Sequence, residues 1–535
     1  MGNKQPAVAL LSGEVGRAID QLSPGSRSSR AAAASNSCLK PHIKTNQGGT
    51  RAMSKSILIF SDGTGQLGGL RPDQRLSNVY KMYRAMRPGP DSPISPSEQV
   101  AFYDAGLGAG ETGGLTFKRV RNVMAAAVGT GIDENVIDCY VAVIANYEPG
   151  DRICIFGFSR GAYTARSLAN VLNLCGVPTH DARGGPVPRF GPELRSIASD
   201  GVRNVYNHGA GAKRASYETE REILADRYRD RYGSQGVGVD GERQGNVQPT
   251  FVGVFDTVAA LGSRAATIIA AVGMLALIAL TIVVAHHLPW WVAVVVATLP
   301  LSAGYWFVRS FWSQVKFFTD DATSKLSRWN PRRQWFELRH VHVAWWSGKN
   351  YDRYADKEIG FLRHAQAIDE DRARFPRVGW GRSEDLLWHK ERGREDWLVQ
   401  VWFAGNHSDI GGSYPEDESR LSDIALRWMI DEIKAALGGT VTVLDERLIT
   451  SPDALGLQHS ERIGMLNAQP ALFRRLSFGK VVWDKAARDI FEEADLHPTV
   501  LERLNAPDVP QMGEVKPYRP ESLRAHRDAA HFYNQ

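Results

Sequence analysis

The chain contains one motif whose residue types and spacing suit nucleophilic catalysis. Gly157-Phe-Ser159-Arg-Gly161 is a complete G-x-S-x-G sequence. An apolar run typical of a strand precedes it and a helical pattern follows it, which is the context of a nucleophile elbow. The sharp turn would lift the Ser159 hydroxyl above the sheet edge, and glycines are needed because a Cβ at either place would clash. We therefore predict a catalytic serine here, rather than an ordinary strand–helix turn.

A serine hydroxyl is weakly nucleophilic and needs a base that is itself oriented by an acid. Where an elbow of this kind is catalytic, the acid and then the histidine follow it along the chain. Asp256 ends one apolar run and His407 follows another, so both stand at predicted strand ends, as Ser159 does. We predict that Asp256 is the acid and His407 the base. The alternatives are a turn aspartate and a structural loop histidine.

Two further residues compete for these roles. Asp409 is a second candidate acid, but its position two residues from His407 favours bracing of the loop. His497, in the sequence Leu496-His-Pro-Thr, is the rival base. Both alternatives remain open at the level of the sequence.

A tetrahedral oxyanion needs hydrogen-bond donors that are already in place. One predicted donor is the backbone N–H of Arg160, directly after the nucleophile. The second is expected from the loop of Gly63 and Thr64, if its strand neighbours that of Ser159. Asp62 would then pin this loop rather than take part in the chemistry.

No cofactor or metal is expected. Gly108-Ala-Gly-Glu-Thr-Gly113 matches the dinucleotide pattern G-x-G-x-x-G, but the preceding strand is poor, and a loop at the sheet edge is the better interpretation. The chain has four cysteines, and no pair has the C-x-x-C spacing of a zinc site; reduced, buried thiols are expected at Cys38, Cys139, Cys154 and Cys175.

Continuous apolar runs separated by long helical patterns indicate the scaffold. Such runs are typical of strands buried on both faces of a parallel sheet. We predict an α/β, α/β-hydrolase-like fold with a mostly parallel sheet and helices on both faces. Between 117 and 147 the helical pattern is broken by Gly129-Thr-Gly131 into two helices. The predicted strands lie at 56–62, 100–103, 152–157, 250–256 and 397–403.

A two-helix hairpin is predicted to interrupt this fold. Residues 265–285 and 290–308 carry no charged residue, and each run is long enough as a helix to cross a bilayer. Basic residues flank only the outer ends, at Arg264, Arg309 and Lys316, which would place both ends in the cytoplasm. The alternative is a buried helical pair in the core.

Composition divides the rest of the chain. The net charge is +5, and residues 1–52, with seven basic and two acidic residues, account for all of it, so a nucleic-acid partner is not expected. This segment is predicted to be disordered or not translated, with a start at Met53, in preference to a targeting peptide. The predicted regions are 1–52, a first hydrolase part 53–263, the transmembrane hairpin 264–310, a second hydrolase part 311–440 with the histidine loop, and a C-terminal helical or mixed extension 441–535.

Six blocks of the sequence, in this order, resemble the bacterial α/β-hydrolase family that includes the type VI secretion phospholipase effectors, with their Tle1-like catalytic domain. The resemblance runs from about residue 56 to residue 415. It implies a Ser–Asp–His triad on Ser159, Asp256 and His407, and hydrolysis of a carboxylic ester, in some members a phospholipid acyl ester. The blocks are Ile59–Thr64, Gly106–Gly110, Gly157–Arg166, Val254–Val258, Arg363–Glu370 and His407–Gly412.

Together these features predict a membrane-anchored serine esterase or lipase that works through an acyl-enzyme. Its expected partners are a lipid or ester substrate and the bilayer, and its expected location is the bacterial inner membrane, with the catalytic domain in the cytoplasm. The alternative is a membrane protein whose hydrolase-like domain binds a ligand or partner without turnover. The complete triad favours the enzyme, because a binding module has no need of all three residues.

Overall fold

The computed structural model describes residues 54–63, 66, 68, 75–106, 131–258, 264–318, 341–344, 353–373, 375–468, 484–511 and 513–534. Some of the predictions fall outside these ranges. They concern the segment 1–52, Thr64, the glycine pattern at 108–113 and the first of the two helices expected between 117 and 147.

The strands of the described residues follow the apolar runs of the sequence. They are β1 (Ser56–Ser61), β2 (Gln99–Asp104), β3 (Arg152–Phe158), β4 (Gln235–Val237), β5 (Arg243–Gly245), β6 (Phe251–Phe255), β7 (Val315–Phe317), β8 (Val341–Val343), β9 (Phe361–Ala367), β10 (Leu398–Phe403), β11 (Val509–Gln511) and β12 (Glu514–Lys516).

The helices of the described residues alternate with the strands of the large sheet. They are α1 (Asn78–Met86), α2 (Gly131–Asn146), α3 (Arg160–Cys175), α4 (Gly191–Ser199), α5 (Glu218–Tyr232), α6 (Arg264–His287), α7 (Trp290–Trp312), α8 (Ser383–Lys390), α9 (His407–Gly411), α10 (Arg420–Leu437), α11 (Glu461–Ala468) and α12 (Pro498–Asn505).

Six strands form one sheet in the order β10-β9-β6-β3-β1-β2, and all neighbouring pairs are parallel. The predicted α/β fold with a parallel sheet is therefore confirmed. Because all six strands point the same way, their carboxyl ends meet at one edge of the sheet, where α/β proteins build their sites. Strand β9 was not predicted, since its sequence, Phe-Leu-Arg-His-Ala-Gln-Ala, mixes polar and apolar residues.

Alternate residues of each central strand point to opposite faces, as the strand geometry requires. On β1, Ile57 and Ile59 join the core beneath α2 and α3, whereas Leu58 and Phe60 join the core beneath α1 and α10. Both faces of the sheet are thus covered by helices, which explains why these strands read as continuous apolar runs.

The residues after α10 form a third core on the β10 edge of the sheet. Trp402 of β10 pairs with Leu496 and packs with apolar residues of the last part of the chain, among them Val500, Leu504 and Tyr518. The C-terminal extension therefore lies beside the strand that leads to His407.

Helices α6 and α7 form the expected helical hairpin, joined by a short turn at Leu288 and Pro289. The side chains of α6 are described from Val272 onward. Large apolar side chains stand exposed on both helices, for example Leu275 at 66%, Trp290 at 77% and Leu301 at 71%. A buried helical pair, the alternative considered above, is therefore wrong. Among the residues that the structure describes, however, no helix has the length and apolarity that a membrane crossing requires. The prediction that the hairpin spans the bilayer is therefore not supported.

Candidate active site

Ser159 occupies a strained turn between β3 and α3. Its φ is +59°, a backbone conformation that side-chain-bearing residues rarely adopt, and such strain concentrates at functional sites. The flanking glycines make the turn possible. A Cβ on Gly157 would lie 2.3 Å from the Gly161 carbonyl oxygen, and one on Gly161 would lie 2.1 Å from that of Ser61. The turn therefore has the geometry of a nucleophile elbow, with both glycines required by contact with backbone atoms.

The sheet brings the other two predicted residues close to each other. The Asp256 carboxylate, directly after β6, accepts a hydrogen bond from Nδ1 of His407, with 2.6 Å between Nδ1 and Oδ2. Ser159 lies beside this pair through its backbone, because its N–H donates to the carbonyl of Phe255 at 3.2 Å. The ring of Phe158 lies 4.7 Å from the ring of His407, between centroids. The backbone of Ser159 and the Asp256–His407 pair therefore lie at the same edge of the sheet, without a hydrogen bond between the Ser159 hydroxyl and Nε2 of His407.

This hydrogen bond fixes the tautomer of His407. A carboxylate can only accept, so the proton of the neutral ring sits on Nδ1 and the lone pair on Nε2. Nε2 is buried and has no hydrogen-bond partner within the described ranges. The imidazole therefore presents an unoccupied basic nitrogen, as a general base needs.

The ionised state of Asp256 is strongly favoured. Burial alone would raise the pKa of this carboxyl, but the guanidinium of Arg488 and the hydrogen bond from His407 outweigh burial and hold the pKa well below its ordinary range. The backbone N–H of Ala367 adds a third donor at 3.1 Å from Oδ1. Asp256 is thus a charged acceptor enclosed by three donors.

The loop that carries His407 is held by its neighbours in the chain. Asn406 caps the short helix α9 through the backbone N–H groups of Ser408 and Asp409, at 2.8 and 3.0 Å. The Asp409 carboxylate returns to the N–H of Asn406 at 3.1 Å and accepts from His459 Nδ1 at 2.8 Å. These contacts leave Asp409 engaged with the loop, away from the hydrogen bond that joins Asp256 to His407.

The predicted oxyanion loop is only partly described. A Cβ on Gly63 would lie 3.3 Å from the Ser159 Cβ, so the loop does adjoin the nucleophile. Its N–H, however, donates to the Asp62 carboxylate at 2.7 Å and is not presented as an open donor. Arg160 is the first residue of α3, and amides of the first helical turn have no carbonyl partner within the helix. The Arg160 amide therefore remains a candidate donor.

Asp62 is the centre of a buried hydrogen-bond cluster. Besides the Gly63 amide, it accepts from the hydroxyl of Tyr103 at 2.6 Å and from the hydroxyl of Ser77. Burial raises the pKa of Asp62 to about 6, although all three hydrogen bonds act to lower it. The carboxylate ties β1 and β2 to the start of α1 and so holds the loop beside Ser159.

His497, the rival base, is occupied elsewhere. Its Nδ1 lies 2.8 Å from the Thr499 hydroxyl, and its ring stacks on Phe403 with 4.7 Å between centroids. Burial lowers the pKa of His497 to about 4. These contacts are those of a helix-capping residue at the start of α12.

Sequence reasoning missed Arg488. Its Nη2 lies 3.0 Å from Oδ2 of Asp256, and its side chain is almost fully buried. The backbone around it is anchored to the loop after β9, since Ala486 donates to the Asp371 carbonyl at 2.9 Å. No periodic pattern or motif marks this stretch, so nothing in the sequence could have indicated the contact.

Glu370 lies in one of the six sequence blocks, and the sequence alone indicates no role for it. Its carboxylate binds Arg372 through two hydrogen bonds of 2.6 and 2.7 Å, and accepts from the backbone N–H of His407 at 3.3 Å. The buried Glu370–Arg372 pair therefore supports the backbone at the base residue.

The chain is similar to known proteins in sequence. A family model described as "T6SS, Phospholipase effector Tle1-like, catalytic domain" matches residues 55–291 and 326–432. The chain is 31% identical over 149 residues to the uncharacterized protein YEL023C of Saccharomyces cerevisiae, a match that covers 25% of this chain and 21% of the yeast protein.

Two solved structures are also similar to the chain, each at 15% identity. One is an uncharacterized protein from Pseudomonas aeruginosa, with a TM-score of 0.31 over 75% of this chain and 48% of that one. The other is the Tle1 effector bound to the VgrG spike of the type 6 secretion system, with a TM-score of 0.28 over 73% of this chain and 57% of that one. The chain thus spans about half the length of these structures and about a fifth of the yeast relative.

Proposed function

We propose that this chain, which belongs to the family of T6SS phospholipase effectors with a Tle1-like catalytic domain, is a serine hydrolase acting on phospholipid acyl esters. The family match spans more than half of the chain and confirms the resemblance found in the six sequence blocks. The observation that carries the proposal is the hydrogen bond between His407 and Asp256, placed at the same sheet edge as the strained Ser159 turn.

The proposed reaction begins with attack of the Ser159 hydroxyl oxygen on the ester carbonyl carbon. His407 takes the serine proton on Nε2, and Asp256 stabilises the imidazolium through the Nδ1–H bond. The negative charge on the tetrahedral oxygen is met by the Arg160 amide at the start of α3, where the helix dipole also favours negative charge. The protonated His407 gives its proton to the departing alcohol, and water then releases the acyl group from Ser159 by the same steps.

We further propose that the hairpin of α6 and α7 holds the enzyme against a membrane. Exposed apolar side chains on both helices support this proposal, because apolar surface concentrated on one element marks a site of interaction with a membrane or a partner. Trp290 and Trp291 lie at the hairpin turn, and tryptophan rings favour the membrane interface. The cytoplasmic orientation at a bacterial inner membrane, derived from the basic residues outside the pair, stays a prediction.

The catalytic proposal is tested with the purified full chain on p-nitrophenyl esters of increasing acyl length and on mixed phospholipid micelles. Ser159→Ala should lower hydrolysis by about 10⁴-fold or more, since triad residues act as a unit. Ser196→Ala, which removes an exposed hydroxyl on α4, is the matched control and should retain activity. Hydrolysis that persists in folded Ser159→Ala would contradict the mechanism, and binding of lipid without turnover would favour a ligand-binding domain.

Membrane attachment is tested separately by flotation with phospholipid vesicles and by carbonate extraction. The full chain should float with the vesicles and resist extraction, and a version lacking residues 264–312 should do neither. Hydrolysis of a soluble p-nitrophenyl ester by the shortened version would show that its catalytic domain is folded. Extraction of the intact chain by carbonate would contradict embedding of the hairpin.

A further inference from the structure

A cluster of two histidines and a glutamate lies at the root of the hairpin, outside the catalytic site. His208 lies in a single helical turn before α5, Glu220 lies in the first turn of α5, and His342 is the central residue of β8. With one ligand atom taken from each residue, the three atoms lie within 4.8 Å of one another. Imidazole nitrogens and a carboxylate oxygen are the usual ligands of zinc.

The contacts of His342 fix the tautomer and the orientation of its ring. Its Nε2 is hydrogen-bonded to the backbone carbonyl of His208, and a carbonyl can only accept. The proton of the neutral ring therefore sits on Nε2, which leaves the lone pair on Nδ1. The ring of Tyr217 stacks on His342, with 3.9 Å between centroids and 15° between planes. Such supporting contacts fix the tautomer and orientation of metal-bound histidines.

His208 is also suited to bind a cation. His208 is almost fully buried, and its Nε2 lies 2.6 Å from a Glu220 oxygen. A carboxylate only accepts, so this contact places a ring proton on Nε2. An ion that bridges His208 and Glu220 would take the place of that proton, with the neutral ring then protonated on Nδ1.

We propose that His208, Glu220 and His342 bind a divalent transition-metal ion of the zinc class. The site would hold three protein ligands and one water. Its place in the fold indicates a structural role. Strand β8 pairs with β7, which directly follows the hairpin helix α7, while His208 and Glu220 lie between α4 and the end of the first turn of α5. A bound ion would therefore fasten the root of the hairpin to the domain that carries Ser159.

The positive charge of Lys316 should lower the affinity of this site for a metal ion. The ammonium of Lys316 is buried and donates to the carbonyls of Arg203 and Ser313, at 2.7 and 2.9 Å. Because Lys316 lies directly opposite His342 in the β7–β8 pair, its positive charge opposes a second cation. Removing this charge should strengthen metal binding, whereas removing a ligand should weaken it.

The experiment uses the full chain, untagged and stripped with a chelator, then titrated with Zn²⁺ and with Co²⁺. The readouts are metal content after dialysis, the visible spectrum of the Co²⁺ form, and the unfolding temperature with and without Zn²⁺. One equivalent of metal is expected, with a rise in unfolding temperature because the ion binds the folded state. Glu220→Gln and His342→Gln should each weaken binding by about 10-fold or more.

Two further variants complete the test. Lys316→Gln keeps a hydrogen-bond donor, removes the charge and should bind Zn²⁺ more tightly. His531→Gln, at an exposed histidine far along the chain, is the matched control and should bind as the unaltered chain does. Circular dichroism verifies that each variant is folded. The proposal is overturned if the unaltered chain retains no stoichiometric metal, or if Glu220→Gln and His342→Gln bind it equally well. Ester hydrolysis is not needed for any of these readouts, so the result is independent of the catalytic proposal.

Discussion

Arg488 and Asp256 form a buried ion pair, with 3.0 Å between Nη2 and Oδ2. The oxygen that Arg488 contacts is the same one that accepts the His407 hydrogen bond. The arginine therefore keeps the acid ionised and orients it, but it also compensates part of the negative charge that would stabilise a protonated His407. In the proposed reaction Arg488 would be a positioning residue, since it would act through Asp256.

Replacing Arg488 should separate its stabilisation of the ionised Asp256 from its compensation of the Asp256 charge. Arg488→Met leaves a buried carboxylate without its cation, which should cost about 3 kcal/mol or more of stability. The uncompensated Asp256 charge favours the imidazolium, so the acidic limb of the kcat/KM profile should move to higher pH. Arg488→Lys keeps the charge and should leave the limb in place. An unchanged limb in a folded Arg488→Met protein would contradict the positioning role.

The two candidate bases can be distinguished by single substitutions. His407→Ala should lower kcat by about 10⁴-fold, because its Nε2 is the unoccupied base next to the Ser159 turn. His497→Ala removes a helix cap and should cost about 1 kcal/mol of stability with little change in kcat. Asp256→Asn should act like His407→Ala but less severely. Steady-state kinetics on one ester decides between them, and loss of activity in His497→Ala alone would reverse the assignment.

The elbow glycines should tolerate no side chain. In Gly161→Ala the new Cβ would lie 2.1 Å from the Ser61 carbonyl oxygen, so the strand and helix must move apart. We expect a loss of about 3 kcal/mol or more, at the upper end of overpacking effects, together with loss of activity. Gly464→Ala is the control, because its Cβ would meet nothing within 4 Å in helix α11. Denaturant unfolding should find the control as stable as the unaltered chain, or slightly more stable.

Asp62 should make stability depend on pH. Its pKa is raised from 3.8 to about 6 by burial, so the folded state holds a proton that the unfolded chain releases between these values. The contribution of this group to the free energy of unfolding is therefore full below about pH 4 and is lost as the pH rises through about 6. Between these two values the loss amounts to about 1.4 kcal/mol for each pH unit.

Asp62→Asn cannot ionise and should flatten this part of the stability profile. Unfolding temperatures measured at about pH 4.5 and about pH 8 should differ less in Asp62→Asn than in the unaltered chain. Asp417→Asn, at an exposed carboxylate, should leave the difference as it was. If the difference between the two unfolding temperatures is the same in all three proteins, Asp62 is charged in the folded and in the unfolded state over this pH range.

The parts of this fold that were predictable have a local signal. Strands buried on both faces are commonly near-continuous apolar runs, so β1, β3, β6 and β10 could be located from composition alone. The elbow could be recognised from its G-x-S-x-G spacing between a strand and a helix, although only Gly157 is required by a contact within the turn and Gly161 is required by contact with Ser61 of β1. Strand β9 could not be located in this way, because its polar residues Arg363 and His364 are buried by contacts with distant parts of the chain.

The candidate site was likewise predictable only where the sequence carries a local signal. Asp256 and His407 could be chosen because strand ends converge in a parallel sheet, whatever the details of packing. A donor from the loop of Gly63 and Thr64 stays a prediction, although the Gly63 amide donates to its neighbour Asp62 and Thr64 lies outside the described residues. Arg488 depends on a loop that returns to the sheet from far along the chain, and side-chain charge alone does not indicate such a return.

The separation of Arg488 from Asp256 affects when activity arises during synthesis. The two residues are 232 positions apart, and Ser159, Asp256 and His407 all leave the ribosome earlier than Arg488. A nascent chain in which Ser159, Asp256 and His407 are already translated still lacks the cation that balances the buried acid. The proposed hydrolase site is therefore complete only after residue 488 has left the ribosome.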